Sequence, residues 1–123
     1  MQPAIRKPLI LAVAALAFGI GLGSQAAASG YTAVQATGTE YHIALSRKTA
    51  KPGKLSVEFV NFGQDDHDLA ITRKGGGTVK IGVVHPGGRA TLNINVKHGS
   101  YVFWCTIADH KARGMRAVLR VKR

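Results

Sequence analysis

Apolar side chains recur at every second position through most of the chain from residue 31 onward. This period places alternate side chains on opposite faces of an extended strand, whereas a helical face repeats every 3.6 residues. The segment 90–96 is the clearest case, because Ala90, Leu92, Ile94 and Val96 alternate with threonine and asparagine. Comparable alternation predicts further strands over residues 41–45, 55–59, 69–71, 79–83, 101–105 and 115–121.

Short turn-forming sequences separate these runs. Glycine, proline or asparagine marks the boundaries at residues 51–53, 61–63, 75–77, 86–88 and 98–99. Short strands joined by such turns are typical of an antiparallel sandwich or barrel. After residue 28 no segment shows a helical period, so we predict an all-β domain. The alternation is weakest between Gly30 and Thr39.

The first 28 residues have the three parts of an export signal. Arg6 and Lys7 give a positive start, an apolar stretch follows over residues 9–23, and alanines at 26–28 suit a signal peptidase. Cleavage after Ala28 leaves one domain, residues 29–123, which we expect to be periplasmic or secreted. The alternative is an uncleaved membrane anchor, although the apolar stretch is shorter than the roughly 20 residues of a membrane span.

The chain is strongly basic, with 17 lysines and arginines against six acidic residues. The signal segment holds two of the basic residues and none of the acidic ones, so residues 29–123 carry a formal net charge of +9. This charge favours acidic partners through long-range attraction, and the alternative is a surface that serves solubility alone. Because an exported protein rarely meets nucleic acid, we expect no nucleic-acid partner.

A single cysteine, Cys105, stands five residues before His110 and ten before Met115. A lone thiol cannot form an intrachain disulfide, and thiolate, imidazole and thioether together make a soft set of metal ligands. His67 is the upstream candidate for a second imidazole. By alternation His67, Cys105 and Met115 point inward at strand ends, and His110 lies on the connecting loop. Such ligands can converge at one end of a sandwich.

The sequence resembles the cupredoxins of the plastocyanin/azurin family over nearly the whole predicted domain. The resemblance rests on Asn61–Leu69, on the Gly-x-Tyr-x-Phe-x-Cys run that ends at Cys105, and on the Cys-x4-His-x4-Met spacing after it. It implies a cupredoxin-like antiparallel Greek-key β-sandwich of about seven to eight strands. It also implies one type 1 copper ion, with His67, Cys105 and His110 in a plane and Met115 as a weak axial ligand.

That resemblance predicts a one-electron carrier between redox partners, and not an enzyme, because the chain offers ligands for one copper ion. The histidines outside the set lie at turns or at an outward position, and we expect none of them to bind copper: His42, His85 and His98. Two alternatives remain open, namely a periplasmic copper storage or delivery protein and a metal-free cupredoxin-fold interaction module. We expect a monomer that associates with membranes only if the signal is retained.

Two features next to the ligands depart from the family. Asp68 replaces the usual asparagine after the first histidine, and we expect it to accept a hydrogen bond from Thr106. An ionised carboxylate here would lower the reduction potential by stabilising oxidised copper. His110 corresponds to the family's electron port, and its sequence neighbours form a basic rim: Lys111, Arg113 and Arg116. The rim predicts a cytochrome or a membrane oxidase or reductase with an acidic docking face.

Overall fold

The structure is a computed structural model that describes residues 30–123, and the predicted export signal, residues 1–28, lies outside this range. Among the described residues, no helix has the length and apolarity needed to cross a membrane. The described chain forms nine strands: β1 (Thr32–Thr39), β2 (His42–Leu45), β3 (Thr49–Ala50), β4 (Gly53–Asn61), β5 (His67–Arg73), β6 (Thr78–Val84), β7 (Arg89–Val96), β8 (Gly99–Trp104) and β9 (Arg116–Val121).

The strands form two mixed sheets, with the orders β2-β1-β4-β7 and β3-β9-β8-β5-β6. The predicted all-β sandwich is confirmed, although it is not wholly antiparallel, because β1 pairs with β4 and β3 pairs with β9 in parallel. Nine strands are present in residues 30–123, where about seven to eight were predicted. The additional strands are β1, where the alternation is weak, and β3, whose two residues are too few to show a period.

The hydrophobic core follows the predicted alternation. Its largest fully buried side chains come from both sheets and include Leu55, Phe59, Leu69, Phe103 and Leu119. Burying one side chain of this size contributes about 1.5–3 kcal/mol relative to leaving it exposed. Cys105 and Met115 belong to the same core cluster, so the packing that stabilises the sandwich continues to the end where the predicted ligands lie.

One strand departs from the predicted alternation. The alternation over residues 79–83 puts Val83 on the same face as Ile81, but Val83 is 56% exposed and its neighbour Val84 is buried instead. His67 pairs with Val84 while Leu69 pairs with Ile81, so β6 contains one extra residue at this point. Such a β-bulge reverses the alternation beyond it. The bulge lies directly beside His67.

Strand direction brings the predicted ligands to the same end of the sandwich. β5 begins at His67, β8 ends one residue before Cys105, and β9 begins one residue after Met115. The β1–β2 turn, Glu40 and Tyr41, lies at this end too. Within the described chain the Glu40 carboxylate accepts backbone N–H groups of the loop that precedes β5.

Candidate metal centre

Three predicted ligands meet at this end and are buried: His67, Cys105 and His110. His67 Nδ1 lies 3.2 Å from His110 Nδ1, and Cys105 Sγ lies 3.9 Å and 3.6 Å from these two nitrogens. A triangle of this size fits bonds of about 2.0–2.3 Å from one metal ion to two imidazoles and a thiolate. The sequence prediction that these side chains converge agrees with this geometry.

The remaining histidines are not members of this cluster. His42, His85 and His98 are exposed, and His85 Nδ1 is 2.7 Å from Asp66 Oδ1. Across residues 30–123, three or more histidine, cysteine, aspartate or glutamate side chains come close enough to share an ion in one place. That group is His67, Cys105 and His110.

Met115, the fourth predicted ligand, is fully buried directly before β9. Its carbonyl accepts the Cys105 N–H at 3.2 Å, and its own N–H donates to the His110 carbonyl at 3.0 Å. A Cβ added at Gly38 would lie 3.3 Å from Met115 Cε and 2.8 Å from the Phe59 ring. The two backbone hydrogen bonds connect Met115 to Cys105 and His110. Its role as axial ligand stays a prediction.

The loop from Cys105 to Met115 holds His110 through its own backbone hydrogen bonds. The His110 N–H donates to the Ile107 carbonyl at 3.1 Å, and the Gly114 N–H donates to the Lys111 carbonyl at 3.1 Å. Gly114 has a φ of +110°, a conformation open to glycine but strained for other residues. Together with the Cys105–Met115 bond, these contacts fix the loop without a helix or strand.

Burial raises the pKa of the Cys105 thiol above its usual value. The metal-free protein therefore carries a protonated thiol at neutral pH. Because a thiolate is the form that binds a metal, binding at this site releases the Cys105 proton.

Asp68 supports the residue that follows Cys105, as the sequence predicted. The Thr106 N–H donates to Asp68 Oδ1 at 2.6 Å, and the Thr106 hydroxyl donates to Oδ2. Lys80 Nζ lies 2.8 Å from the same Oδ2 and 2.8 Å from Thr106 Oγ1. Burial acts to raise the pKa of Asp68, but the bonds from Lys80 and Thr106 outweigh it and hold that pKa below its usual value. Sequence reasoning missed Lys80, since nothing marks it among the outward lysines.

Sequence reasoning also missed the contacts of the β1–β2 turn with both imidazoles. Glu40 Oε1 lies 3.7 Å from His67 Nε2. The Tyr41 ring meets the His110 ring edge-on, with 5.2 Å between centroids, and the Arg113 guanidinium lies 3.6 Å from the Tyr41 centroid. In the sequence Tyr41 is one more apolar residue of the alternating run over residues 41–45, so nothing predicts its contact with His110.

On the loop that carries His110 and at the start of β9, exposed basic side chains outnumber the one exposed acidic side chain, Asp109. Lys111, Arg113 and Arg116 are exposed, and none of them forms an ion pair with another residue of the described chain. Lys111 Nζ lies 4.0 Å from the centre of the Trp104 ring, beside an open groove of about 490 Å³. The groove lies over Cys105, which is itself fully buried. His110 itself is 8% exposed.

No protein-family model matches the chain, and no curated protein sequence matches it significantly. Solved structures do match its fold. Reduced auracyanin from the photosynthetic bacterium Roseiflexus castenholzii is 23% identical, with a TM-score of 0.61 over 79% of this chain and 100% of that one. Rusticyanin from Thiobacillus ferrooxidans is 22% identical, with a TM-score of 0.62 over 77% of this chain and 79% of that one.

Two further matches show how widely the fold is used. Auracyanin A, a "blue" copper protein from Chloroflexus aurantiacus, is 13% identical, with a TM-score of 0.62 over 76% of this chain and 100% of that one. A multicopper oxidase is 18% identical and matches with a TM-score of 0.53, over 75% of this chain but 41% of the oxidase. Function must therefore be argued from the site. In its strand arrangement the chain has the cupredoxin fold, which it shares with auracyanin and rusticyanin.

Proposed function

We propose that the chain is an exported type 1 copper protein that carries single electrons between redox partners and is not itself an enzyme. The observation that carries this proposal is the buried triangle of His67 Nδ1, Cys105 Sγ and His110 Nδ1. When bound, copper supplies a one-electron couple between its cupric and cuprous states. Two imidazoles and a thiolate with a weak thioether are the donor set of blue copper electron-transfer sites, and we assign the thioether to Met115.

Burial of the donor set favours a carrier over a catalyst. His67, Cys105 and Met115 are fully buried, and His110 is 8% exposed. A catalytic metal site keeps an open position for water or substrate, and such a position needs access that this burial opposes. An electron, unlike a substrate, can leave through a packed imidazole.

The ligands are held so that their positions change little between oxidation states. His67 begins a strand, and Cys105 and Met115 flank strands and bond to each other through their backbones. Rigid support of this kind limits the reorganisation that electron transfer requires. In each cycle a reduced donor loses one electron and an oxidised acceptor gains it.

The charge around His110 supports an acidic redox partner. Lys111, Arg113 and Arg116 are exposed on or just after the loop that carries His110, where the one acidic residue is Asp109. An excess of positive charge speeds encounter with a negative surface. We propose a cytochrome or a membrane oxidase or reductase with an acidic docking face. The signal-like residues 1–28 support a periplasmic or secreted location.

Copper titration of the purified protein tests the proposal. We expect an intense thiolate-to-copper absorption in the visible range that one equivalent of reductant removes and oxidant restores. A Cys105→Ser variant is the control, and it should bind copper without the thiolate-to-copper absorption. Tight binding of cuprous ion with no colour on oxidation would favour storage or delivery instead. Absence of binding would favour a metal-free interaction module.

A further inference from the structure

We propose that the two-residue turn between β1 and β2 positions both imidazole ligands, with Glu40 acting on His67 and Tyr41 acting on His110. The inference rests on the proposed copper site and assigns a role to residues outside the ligand loop. Glu40 and Tyr41 are positioning residues in this scheme, since each acts through a histidine.

The His67 ring has one nitrogen that the cluster does not use. Its Nδ1 faces Cys105 and His110, so the ring proton belongs on Nε2 when Nδ1 binds a metal. His67 Nε2 is buried and has no hydrogen-bond partner within residues 30–123. The Glu40 carboxylate lies 3.7 Å from it. This separation is too long for a hydrogen bond, but a negative charge beside the outer nitrogen of a ligand histidine still favours a proton on that nitrogen and increases the basicity of the ring.

Glu40 is fixed in place by the loop that precedes β5. Its Oε1 atom, which is the oxygen nearest His67 Nε2, accepts the backbone N–H groups of Gln64 and Asp65, the latter at 3.1 Å. Two N–H donors suit a carboxylate, which is the ordinary form of a glutamate at neutral pH. A Cβ at Gly63 would lie 2.9 Å from His67 Nε2 and would collide with Glu40 Oε1. The absence of a side chain at Gly63 therefore keeps the approach of carboxylate to imidazole open.

Tyr41 has a backbone conformation that tyrosine disfavours. Its φ is +59°, in the left-handed region where glycine or asparagine is usual. The ring nevertheless packs edge-on against His110, at 75° between planes, and lies under the Arg113 guanidinium. Strained residues persist where surrounding contacts require them, and the contact with His110 accounts for an aromatic residue in this turn.

Together the two contacts restrain the angle between the imidazoles. The His67 and His110 rings stand at 66°, with centroids 5.1 Å apart. The ligand loop fixes the backbone of His110, while the turn contacts both rings from outside that loop. We infer that the turn prepares the site before the metal binds.

Glu40→Gln tests the first contact, since glutamine keeps an oxygen for the two backbone N–H groups and removes the charge. We expect cupric affinity to fall about 10–100-fold, as for other partners of ligand histidines. Cuprous affinity should fall less because its charge is lower. If cupric affinity falls tenfold more than cuprous affinity, the reduction potential rises by about 59 mV for this one-electron couple.

Glu58→Gln, which removes a carboxylate on β4 paired with Arg89, is the matched control. Unchanged affinities and potential in Glu40→Gln would overturn the role of Glu40.

Tyr41→Gly tests the second contact, because glycine accepts the positive φ while the ring is lost. We expect cupric affinity to fall about tenfold, the lower end of the loss seen when residues that support metal ligands are replaced. The separate variant Tyr41→Phe keeps the ring and should have the affinity of wild type. In the metal-free proteins, NMR should show the His110 ring signals shifted in Tyr41→Gly and near wild type in Tyr41→Phe. Tyr41→Asn serves as a second ring-free variant, in case Tyr41→Gly does not fold.

The outcomes separate the two proposals. Wild-type protein that binds no copper would contradict the proposed function, while the His110 signals of the metal-free variants would still test the contact with Tyr41. Wild-type protein that binds copper, with ring-free variants that match it in affinity and His110 signals, would overturn the role of Tyr41 alone.

Discussion

Lys80 Nζ on the edge strand β6 lies 2.8 Å from the Oδ2 atom of Asp68, whose side chain is 2% exposed. Asp68 follows His67 in sequence and accepts hydrogen bonds from the residue after Cys105. The lysine therefore compensates a negative charge that lies close to two of the proposed ligands. The influence of Asp68 on the copper site depends on Lys80 as well.

Replacing Asp68 and replacing Lys80 should change the reduction potential of the copper site in opposite directions. Asp68→Asn removes a negative charge and should raise the potential, whereas Lys80→Met leaves the carboxylate uncompensated and should lower it. A shift of roughly 60 mV corresponds to a tenfold change in relative affinity for the two copper states. Midpoint potentials of both variants and of the double variant measure the effect. A fall or no change in Asp68→Asn would remove this account.

Asp68 should also make folding stability depend on pH in acid. Its pKa is lower in the folded protein than its usual value, so its contribution is complete above the unfolded pKa and disappears as pH falls through the folded pKa. At pH 7 we expect metal-free Asp68→Asn to be about 1–3 kcal/mol less stable than wild type. Urea unfolding at several pH values should show this difference shrinking below about pH 4. A constant difference down to pH 2 would contradict the prediction.

Copper affinity should rise with pH because the Cys105 thiol must lose its proton. Burial raises the pKa of this thiol, so the metal-free site stays protonated throughout the neutral range. The thiol alone predicts about a tenfold gain in apparent affinity per pH unit below that pKa. Competition titrations between pH 6 and 8 measure the slope. In Cys105→Ser the part of the pH dependence that comes from the thiol should disappear. A wild-type affinity that does not change with pH would argue against binding by the thiolate.

Replacing basic rim residues should slow electron transfer to anionic reagents. We expect Lys111→Glu combined with Arg116→Glu to reduce the rate with hexacyanoferrate about tenfold at low salt and to increase the rate with a cationic ruthenium ammine. Added salt should diminish both effects. Lys122→Glu combined with Arg123→Glu, both beyond the far end of β9, changes the net charge by the same amount and is the control. Equal rates for the rim variant and this control would indicate that electrons leave elsewhere.

Gly38→Ala should disturb the side of the site where Met115 is buried. The new methyl would lie 2.8 Å from the Phe59 ring and 3.3 Å from Met115 Cε, so these side chains must move. Overpacking of this kind costs about 1–3 kcal/mol, which thermal unfolding of the metal-free protein detects. If Met115 is the axial ligand, the visible spectrum should change as well. Gly82→Ala is the control, because a Cβ there meets no atom within 4 Å.

Alternation was sufficient to predict the sandwich and the inward direction of His67, Cys105 and Met115, because side-chain direction along a regular strand follows from parity. The Asp68–Thr106 bond joins residues far apart in sequence and was expected only from the resemblance to the cupredoxins. The bulge that turns Val84 inward in place of Val83 breaks that parity. A bulge reflects how two strands pair, and the pattern of one strand does not encode it.

The supporting contacts of the site could not be predicted for a related reason. Lys80 and Asp68 come from neighbouring strands, and Glu40 reaches His67 across the two sheets. Contacts between distant segments depend on register and on sheet order. The parallel pairing of β1 with β4 places the turn after β1 beside the loop before β5, and no local sequence signal announces that pairing.

The direction of β1 has a practical consequence for attaching this protein to a surface. β1 runs toward the ligands, so its first residue, Thr32, lies at the opposite end, roughly 23 Å from Thr39 at 3.3 Å per residue. A tether joined ahead of Thr32 would leave His110 facing away from the support. Electrodes or resins coupled through this end should therefore present the copper end to the surrounding solution.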